Sequence, residues 1–394
     1  MISYGESVAL LLEAAPVMPS ELLPIEAAEG RYIADPVHAA IDAPRADVSV
    51  MDGYAVRFAE VGGENWLRVA GTSSAGETFA GKVPARQAVR IFTGAHVPSG
   101  TDCIVMQEHA ERDGEYVRFR KGFGPARHIR RRASDFATGE TLLSEGERLT
   151  ARAMVALAAA DIGHVEVAIK PRITILATGD ELASPGSARL APNTQPDSAS
   201  FGVAALARDW GAIVGDLLRG RDDLEHLSRL ASTAVENTDC VVVIGGASVG
   251  DRDLARPMFD GLPLRDVFAK VAIRPGRPVW LGIIGDIPVL GLPGNPTSAM
   301  VAARLFLAPL LVAMQGGRGL DCIRDTPQIL AGKLAAAGSR ESFVRAQGTG
   351  EGLMPVDNQD SGAQAPLASS DWLIRRPPGD QARNAGDIVR AISF

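Results

Sequence analysis

The 394-residue sequence has no run of about 18 apolar residues, the length a helix needs to cross a bilayer, so no membrane span is expected. Its three cysteines, Cys103, Cys240 and Cys322, lie far apart, which excludes a disulfide framework and a thiolate zinc site. Six scattered histidines make no HExxH or paired-ligand spacing. The opening "MISYGESVALLLEAAP" lacks a basic region followed by a cleavage-like site. It reads as an amphipathic helix rather than a secretion signal, and a cytoplasmic location is expected. Positive charge is in deficit: a formal net charge of −7 argues against a generic nucleic-acid binder. Fingerprints are missing as well. There is no GxxxxGKS/T, no GxGxxG after the first strand and no GxSxG, so neither a P-loop NTPase, a Rossmann dehydrogenase nor a hydrolase elbow is supported. No repeat of fixed period is visible.

What is present is a chain long enough for two to four domains, with the 46% apolar and 22% charged content of a globular protein. From Arg172 to about Gly316, strand-like and helix-like segments alternate: "RITILAT", "SASFGVAALARDWG", "AIVGDLL", "DDLEHLSRLASTAVENT", "DCVVVIGG", "VFAKVAI", "PVLGL", then a long helix from Pro296. Continuous apolar strands separated by helices predict a parallel, helix-covered sheet that binds ligands beyond its carboxyl ends. Residues 43–139 show short alternating runs broken by Gly, Pro and Asp, which predict a β-rich insert. Residues 1–42 and 140–170 flank it and are expected to meet as one discontinuous, partly helical domain. The α/β domain spans 171–318, and 319–394 repeats the all-β pattern at the size of a small barrel.

Three α/β loops carry chemistry: "ATGDEL", "GGASVGDRD" and "GLPGNPTSA". In the last, two prolines and two glycines aim the chain into a helix, with Asn295 as N-cap and Pro296 in the first turn. Such a helix start attracts anions. Thr178, Gly179, Gly245, Gly246 and Ser248 offer hydroxyl and backbone donors for phosphate, while Asp180, Glu181, Asp251 and Asp253 add carboxylates. Carboxylates beside phosphate donors suit Mg²⁺. Asp180 alone reads equally as a helix cap. In "KVAIRPGRP", Lys270 and Arg274 share a face if the strand continues, and Arg277 follows on a Pro-Gly turn. The cluster "ARHIRRRASD" is either a solvated basic strand or a site for RNA or a small anion. The residues alone lead to a phosphorylated, nucleotide-linked anion bound with Mg²⁺ at an α/β sheet edge.

The ordered set "SVMDGYAV", "IFTGAHVPSGTDCIV", "ILATGDEL", "GGASVGDRD", "IRPGRP" and "GLPGNPTSA" resembles the molybdopterin molybdenumtransferases of the MoeA type, which include the gephyrin E domain. The match runs nearly end to end. The resemblance implies a transferase that takes adenylylated molybdopterin and molybdate as substrates, releases AMP with the help of Mg²⁺, and yields molybdenum cofactor. It also implies a homodimer whose active-site cleft lies between the α/β domain of one subunit and the β-rich insert of the other, with transient adenylyltransferase and recipient molybdoenzyme partners. Carried over residue by residue, it gives Asp52, Thr93, Asp135, Glu181, Asp222, Asp253 and Lys270 catalytic roles, the metal falling to Glu181, Asp222 and Asp253. Pro293, Gly294, Asn295 and Pro296 would shape the pocket, with Arg274 and Arg277 in place of two lysines, and Arg130 to Arg132, Arg345 and Ser361 matching oxyanion positions. A silent molybdopterin-binding scaffold is the alternative. The adenylyltransferase step is a third reading, disfavoured by the insert and the C-terminal β-domain.

Overall fold

The computed structural model describes residues 1–62, 65–246 and 254–394. At its centre, apolar runs form a six-stranded sheet in the order Ile213–Gly220, Arg172–Thr178, Cys240–Ile244, Ile287–Leu292, Trp280–Ile284, Leu264–Ala269. Period-2 alternation sorts the side chains onto two faces. Ile173, Ile175, Cys240 and Val242 pack with the helix Ala199–Asp209, whereas Leu176, Val241 and Val243 meet Leu227, Ala231 and Ala234 of the helix Leu224–Ala234. Both faces are covered, which is why these strands read as unbroken apolar runs.

The sheet departs from the expected all-parallel arrangement along one edge. Arg172–Thr178 pairs in parallel with both neighbours, and Cys240–Ile244 with Ile287–Leu292, but Trp280–Ile284 and Leu264–Ala269 are antiparallel. The reason is local. Gly285, at φ +60°, and Asp286 alone connect Ile284 to Ile287, and so short a link joins only antiparallel strands. Nor is "VFAKVAI" one strand. It stops at Ala269, Lys270 turns with φ +63°, and Ile273–Arg274 leaves to pair with Glu341–Ser342 of the C-terminal sheet. Lys270 and Arg274 therefore do not share a strand face.

Beyond Leu292 runs the helical segment Pro296–Met314, long and apolar enough by length and composition to span a membrane, contrary to the count of apolar runs. It is instead a core helix, with 89% of its most apolar window buried inside the fold. A π turn at Ala303–Leu307 precedes Pro309, whose missing N–H cannot continue the regular ladder. The first helix, Tyr4–Glu13, starts at a Ser3–Glu6 capping box and packs Tyr4, Val8 and Leu11 into the same core. Ser20–Pro24 pairs with His164–Ala168, bringing the two sides of the insert together around Ile33, Leu149, Leu157 and Val167. The main sheet of the insert runs, among the described residues, in the order Cys103–Met106, Gly53–Val56, Gln87–Ile91, Leu67–Ser73, Tyr116–Phe119, Ala110–Asp113. Glu341–Thr349, Trp372–Arg376, Ile388–Ser393 and Thr326–Ile329 form the C-terminal sheet, with Gly352–Pro355 beside Glu341–Thr349.

Gly291 lies under Trp280, where a Cβ would come within 1.9 Å of the indole Nε1. Overpacking of this kind costs about 1–3 kcal/mol. Gly291→Ala is expected to lower the urea unfolding midpoint at unchanged slope; an unchanged midpoint would mean the indole moves aside freely.

Candidate active site

The parallel strands end together at Thr178, Gly220, Ile244 and Leu292, and the loops that follow enclose a cavity of about 500 Å³. Its wall contains Thr178, Gly179, Glu181, Asp222, Gly245 and Gly246, together with Pro293, Gly294, Asn295 and Pro296. The glycines are there for backbone reasons. Gly245 and Gly246 take φ +96° and +65°, and a Cβ on Gly245 would sit 2.8 Å from the Thr178 carbonyl oxygen. Gly294 would press a Cβ to 3.3 Å from the Gly245 Cα. The two loops thus meet backbone to backbone.

Among the described residues, the buried Thr178 hydroxyl has no hydrogen-bond partner. A buried orphan hydroxyl on a cavity wall is a donor waiting for a ligand. Asp223 caps the helix Leu224–Ala234 by accepting the His226 N–H at 2.8 Å, which leaves its neighbour Asp222 at the cavity. Asp180 caps no helix; it accepts the Asp222 N–H at 3.1 Å and so braces that loop. Asn295 holds the N-cap position, but its amide donates to the Ser361 hydroxyl at 2.9 Å instead of capping. Ser248, Asp251 and Asp253 lie outside the described residues.

A second cavity, about 620 Å³, adjoins the first, and Pro278 lines both. It collects Arg274, Arg277, Arg340, Ser298 and Ser361. Between them stands the loop 358–364, tied to the α/β unit by Asn295 to Ser361, Thr297 to the Ala363 carbonyl at 2.9 Å and Ser198 to Gln364 at 2.8 Å. Arg345, expected at an oxyanion position, is 1% exposed and donates to the carbonyls of Ala363, Asn358 and Asp360. It holds the loop from behind and offers the cavity no donor. Lys270 lies on its exposed turn in neither cavity.

On the insert, Asp52 accepts the Thr93 N–H at 2.8 Å and the Thr93 hydroxyl at 2.9 Å. These bonds, the backbone one foremost and Arg90 adding a little, hold its carboxyl below the usual range. Gly53 follows because its strand passes so close to Val105 that a Cβ would fall 2.0 Å from that carbonyl oxygen. Exposed Val50, Met51 and Phe92 surround the pair. Asp135 is spent on Arg130 at 3.4 Å, and Arg131 and Arg132 on Asp47 and Asp42, each at 2.5 Å. The arginine cluster therefore ties the neck of the insert together while its side chains stay half to two-thirds exposed.

Residues 2–160 match the profile of the MoeA N-terminal region (domain I and II), 174–313 that of a probable molybdopterin binding domain, and 328–394 that of the MoeA C-terminal region (domain IV). A Haemophilus influenzae protein named molybdopterin molybdenumtransferase is 33% identical over 80% of this chain and 78% of its own. The chain belongs to the MoeA family. A molybdopterin molybdenumtransferase of Staphylococcus aureus is 28% identical over 99% of this chain and 95% of its own. The crystal structure of the molybdopterin biosynthesis MoeA protein of Pyrococcus horikoshii superposes with a TM-score of 0.83 at 29% identity, covering 100% of this chain and 99% of that one.

Within this MoeA fold, sequence reasoning missed Gln195, Asp197, Ser198 and Gln364, all in the first cavity's wall. The signal was the polar run "NTQPDS" before an apolar helix, which reads as nothing more than a cap. Because the Thr93 bonds favour the ionised Asp52, the folded-state pKa is depressed, and what they contribute is present above the unfolded pKa and lost as pH falls through the folded one. Thr93→Val removes the hydroxyl and keeps the N–H. A carbon-detected NMR titration of the Asp52 carboxyl is expected to show its pKa rise part of the way to the ordinary aspartate value; no change would assign the whole depression to the backbone.

Proposed function

We propose that this protein is a molybdopterin molybdenumtransferase: it takes adenylylated molybdopterin and molybdate as substrates, joins the metal to the dithiolene and releases AMP. The observation that carries this reading is the first cavity, where two carboxylates, Glu181 and Asp222, share a wall with an orphan hydroxyl and the Gly245–Gly246 turn at the carboxyl edge of a parallel sheet. Hydroxyl and backbone donors suit phosphate oxygens. The adjoining arginine-lined cavity suits a tetrahedral dianion, since guanidinium forks match oxyanions.

Magnesium fits the donor set. Among the described residues no three His, Cys, Asp or Glu side chains converge, but Mg²⁺ characteristically takes one or two carboxylates and completes its shell with water and substrate phosphates. Glu181 and Asp222 would hold it, with Asp253 as a third candidate in 247–253, and when bound it would polarise a phosphoryl oxygen. The chain's own residues do the rest: Thr178 donates to the substrate, the 293–296 turn shapes the floor, and the loop 358–364 holds the two cavities apart.

The insert enters through a partner copy. None of the described residues of 43–139 lines the first cavity, while half-buried Asp52 and exposed Thr93 sit within an apolar rim, an arrangement that suits closure on a second subunit. The four-part division, 1–42 with 140–170, 43–139, 171–318 and 319–394, is the working arrangement for that dimer.

Incubation with adenylylated molybdopterin, Mg²⁺ and molybdate is expected to release AMP in a molybdate-dependent way and to activate an apo-molybdoenzyme; tight binding without AMP release would make the protein a scaffold. Glu181→Gln is expected to lower AMP release by about 10²-fold or more while leaving substrate binding measurable. When Asp52→Ala and Glu181→Ala subunits, each inactive, are mixed, heterodimers should recover up to about half of the activity, since one of two composite sites is intact. Absence of recovery would put both acids in one subunit's site.

A further inference from the structure

We propose that Asp197 reads the donor edge of the pterin ring and so sets which heterocycle the first cavity accepts; this deepens the transferase reading and rests on it. Leu182–Ala183 and Gln195–Pro196 form a short parallel pair that lays the Asp197 segment beside the Glu181 loop. The Gln195 N–H donates to the Glu181 carbonyl at 2.7 Å, and that of Asp197 to the Ala183 carbonyl at 2.9 Å. The Asp197 side chain is only 6% exposed, yet the residue belongs to the cavity wall.

One of its oxygens accepts the Ser200 N–H at 3.2 Å, the other an Arg219 N–H at 3.3 Å. A carboxylate offers about four lone-pair sites. Among the described residues each oxygen thus accepts one bond, which leaves a further lone-pair site on each. Capping the helix Ala199–Asp209 accounts for the first bond alone. It does not account for Arg219, which comes from the strand opposite Ala177, also reaches Ser184 at 3.2 Å, and fixes the carboxylate from behind. A carboxylate fixed in this way presents two acceptors side by side, which complement two adjacent N–H donors. A 2-amino-4-oxopteridine has such an edge, its N3–H beside the exocyclic amine. Adenine sets a donor beside an acceptor and would turn an acceptor against one carboxylate oxygen, so the adenylyl group is excluded from this corner.

Fluorescence titration of the whole protein with neopterin monophosphate and with its lumazine counterpart, which carries a carbonyl in place of the amine, tests the assignment. The wild type is expected to bind the pterin about tenfold tighter or more, in line with the cost of an unpaired polar group. Asp197→Asn should bring the ratio close to unity, and Glu181→Gln should retain it. Equal affinity of the wild type for both probes would overturn the proposal, as would a ratio preserved in Asp197→Asn; the first comparison needs no variant to fold. AMP titrated in parallel separates the two readings. If AMP binds while the ratio is near unity, the role of Asp197 falls and the nucleotide site stands; if neither AMP nor either heterocycle binds, the transferase reading falls with it.

Discussion

Parallel pairing of three doubly buried strands, flanked by the half-exposed edge strand Ile213–Gly220, is the constraint on which the rest depends. Ile173, Ile175, Val241 and Val243 have no exposed surface, and each such side chain contributes about 1.5–3 kcal/mol through burial. That burial locks the register, which sets Thr178 against Gly220, Ala177 against Ile244, and Ile244 against Leu292. A slip of one residue would carry a whole wall of the cavity by about 3.3 Å, farther than any hydrogen bond tolerates. The polar loops meet at one place because the apolar strands behind them cannot end anywhere else.

The second requirement is a rigid partition. Burial pulls the pKa of Arg345 down and nearby Asp360 pushes back. Its guanidinium is satisfied by three carbonyls of the loop 358–364. To serve as an oxyanion ligand it would have to give up those bonds and leave the carbonyls unpaired, each at about 1–3 kcal/mol. Its cost as a ligand is thus larger than that of Arg274 or Arg277, which are exposed and lie in the second cavity.

How much of this was legible follows from the range of the interactions. The strands Arg172–Thr178 and Cys240–Ile244 and the helices after them declare themselves locally, by apolar run and cap, and the loops after them inherit their place from the fold. Glu181, Asp222 and the "LPGNP" turn were therefore within reach. The direction of Trp280–Ile284 was not, because a buried antiparallel strand has the same apolar composition as a buried parallel one, and only the short Gly285–Asp286 link separates them. Asn295 fits the cap pattern, but its partner Ser361 is 66 residues away. Asp197 was hidden for the same reason: its sequence neighbours specify a cap, while its second bond comes from Arg219 on another strand.

On the proposed reading, the charges of the two cavities also settle where each substrate enters. At an effective dielectric of about 20, a unit charge pair 4 Å apart interacts by roughly 4 kcal/mol, so an oxyanion dianion beside a bare carboxylate would meet about twice that in repulsion. The first cavity, with Glu181, Asp222 and the Arg219-paired Asp197 in its wall, therefore favours a phosphate most when a divalent cation is interposed. The second, where Arg274, Arg277 and Arg340 outnumber the one carboxylate of Asp360, attracts the dianion without one. Asn295 and Ser361 sit at the join, neutral and hydrogen-bonded to each other. A charge on either would favour one cavity's ligand and repel the other's, and a neutral amide–hydroxyl pair is the boundary that lets both anions approach the same substrate.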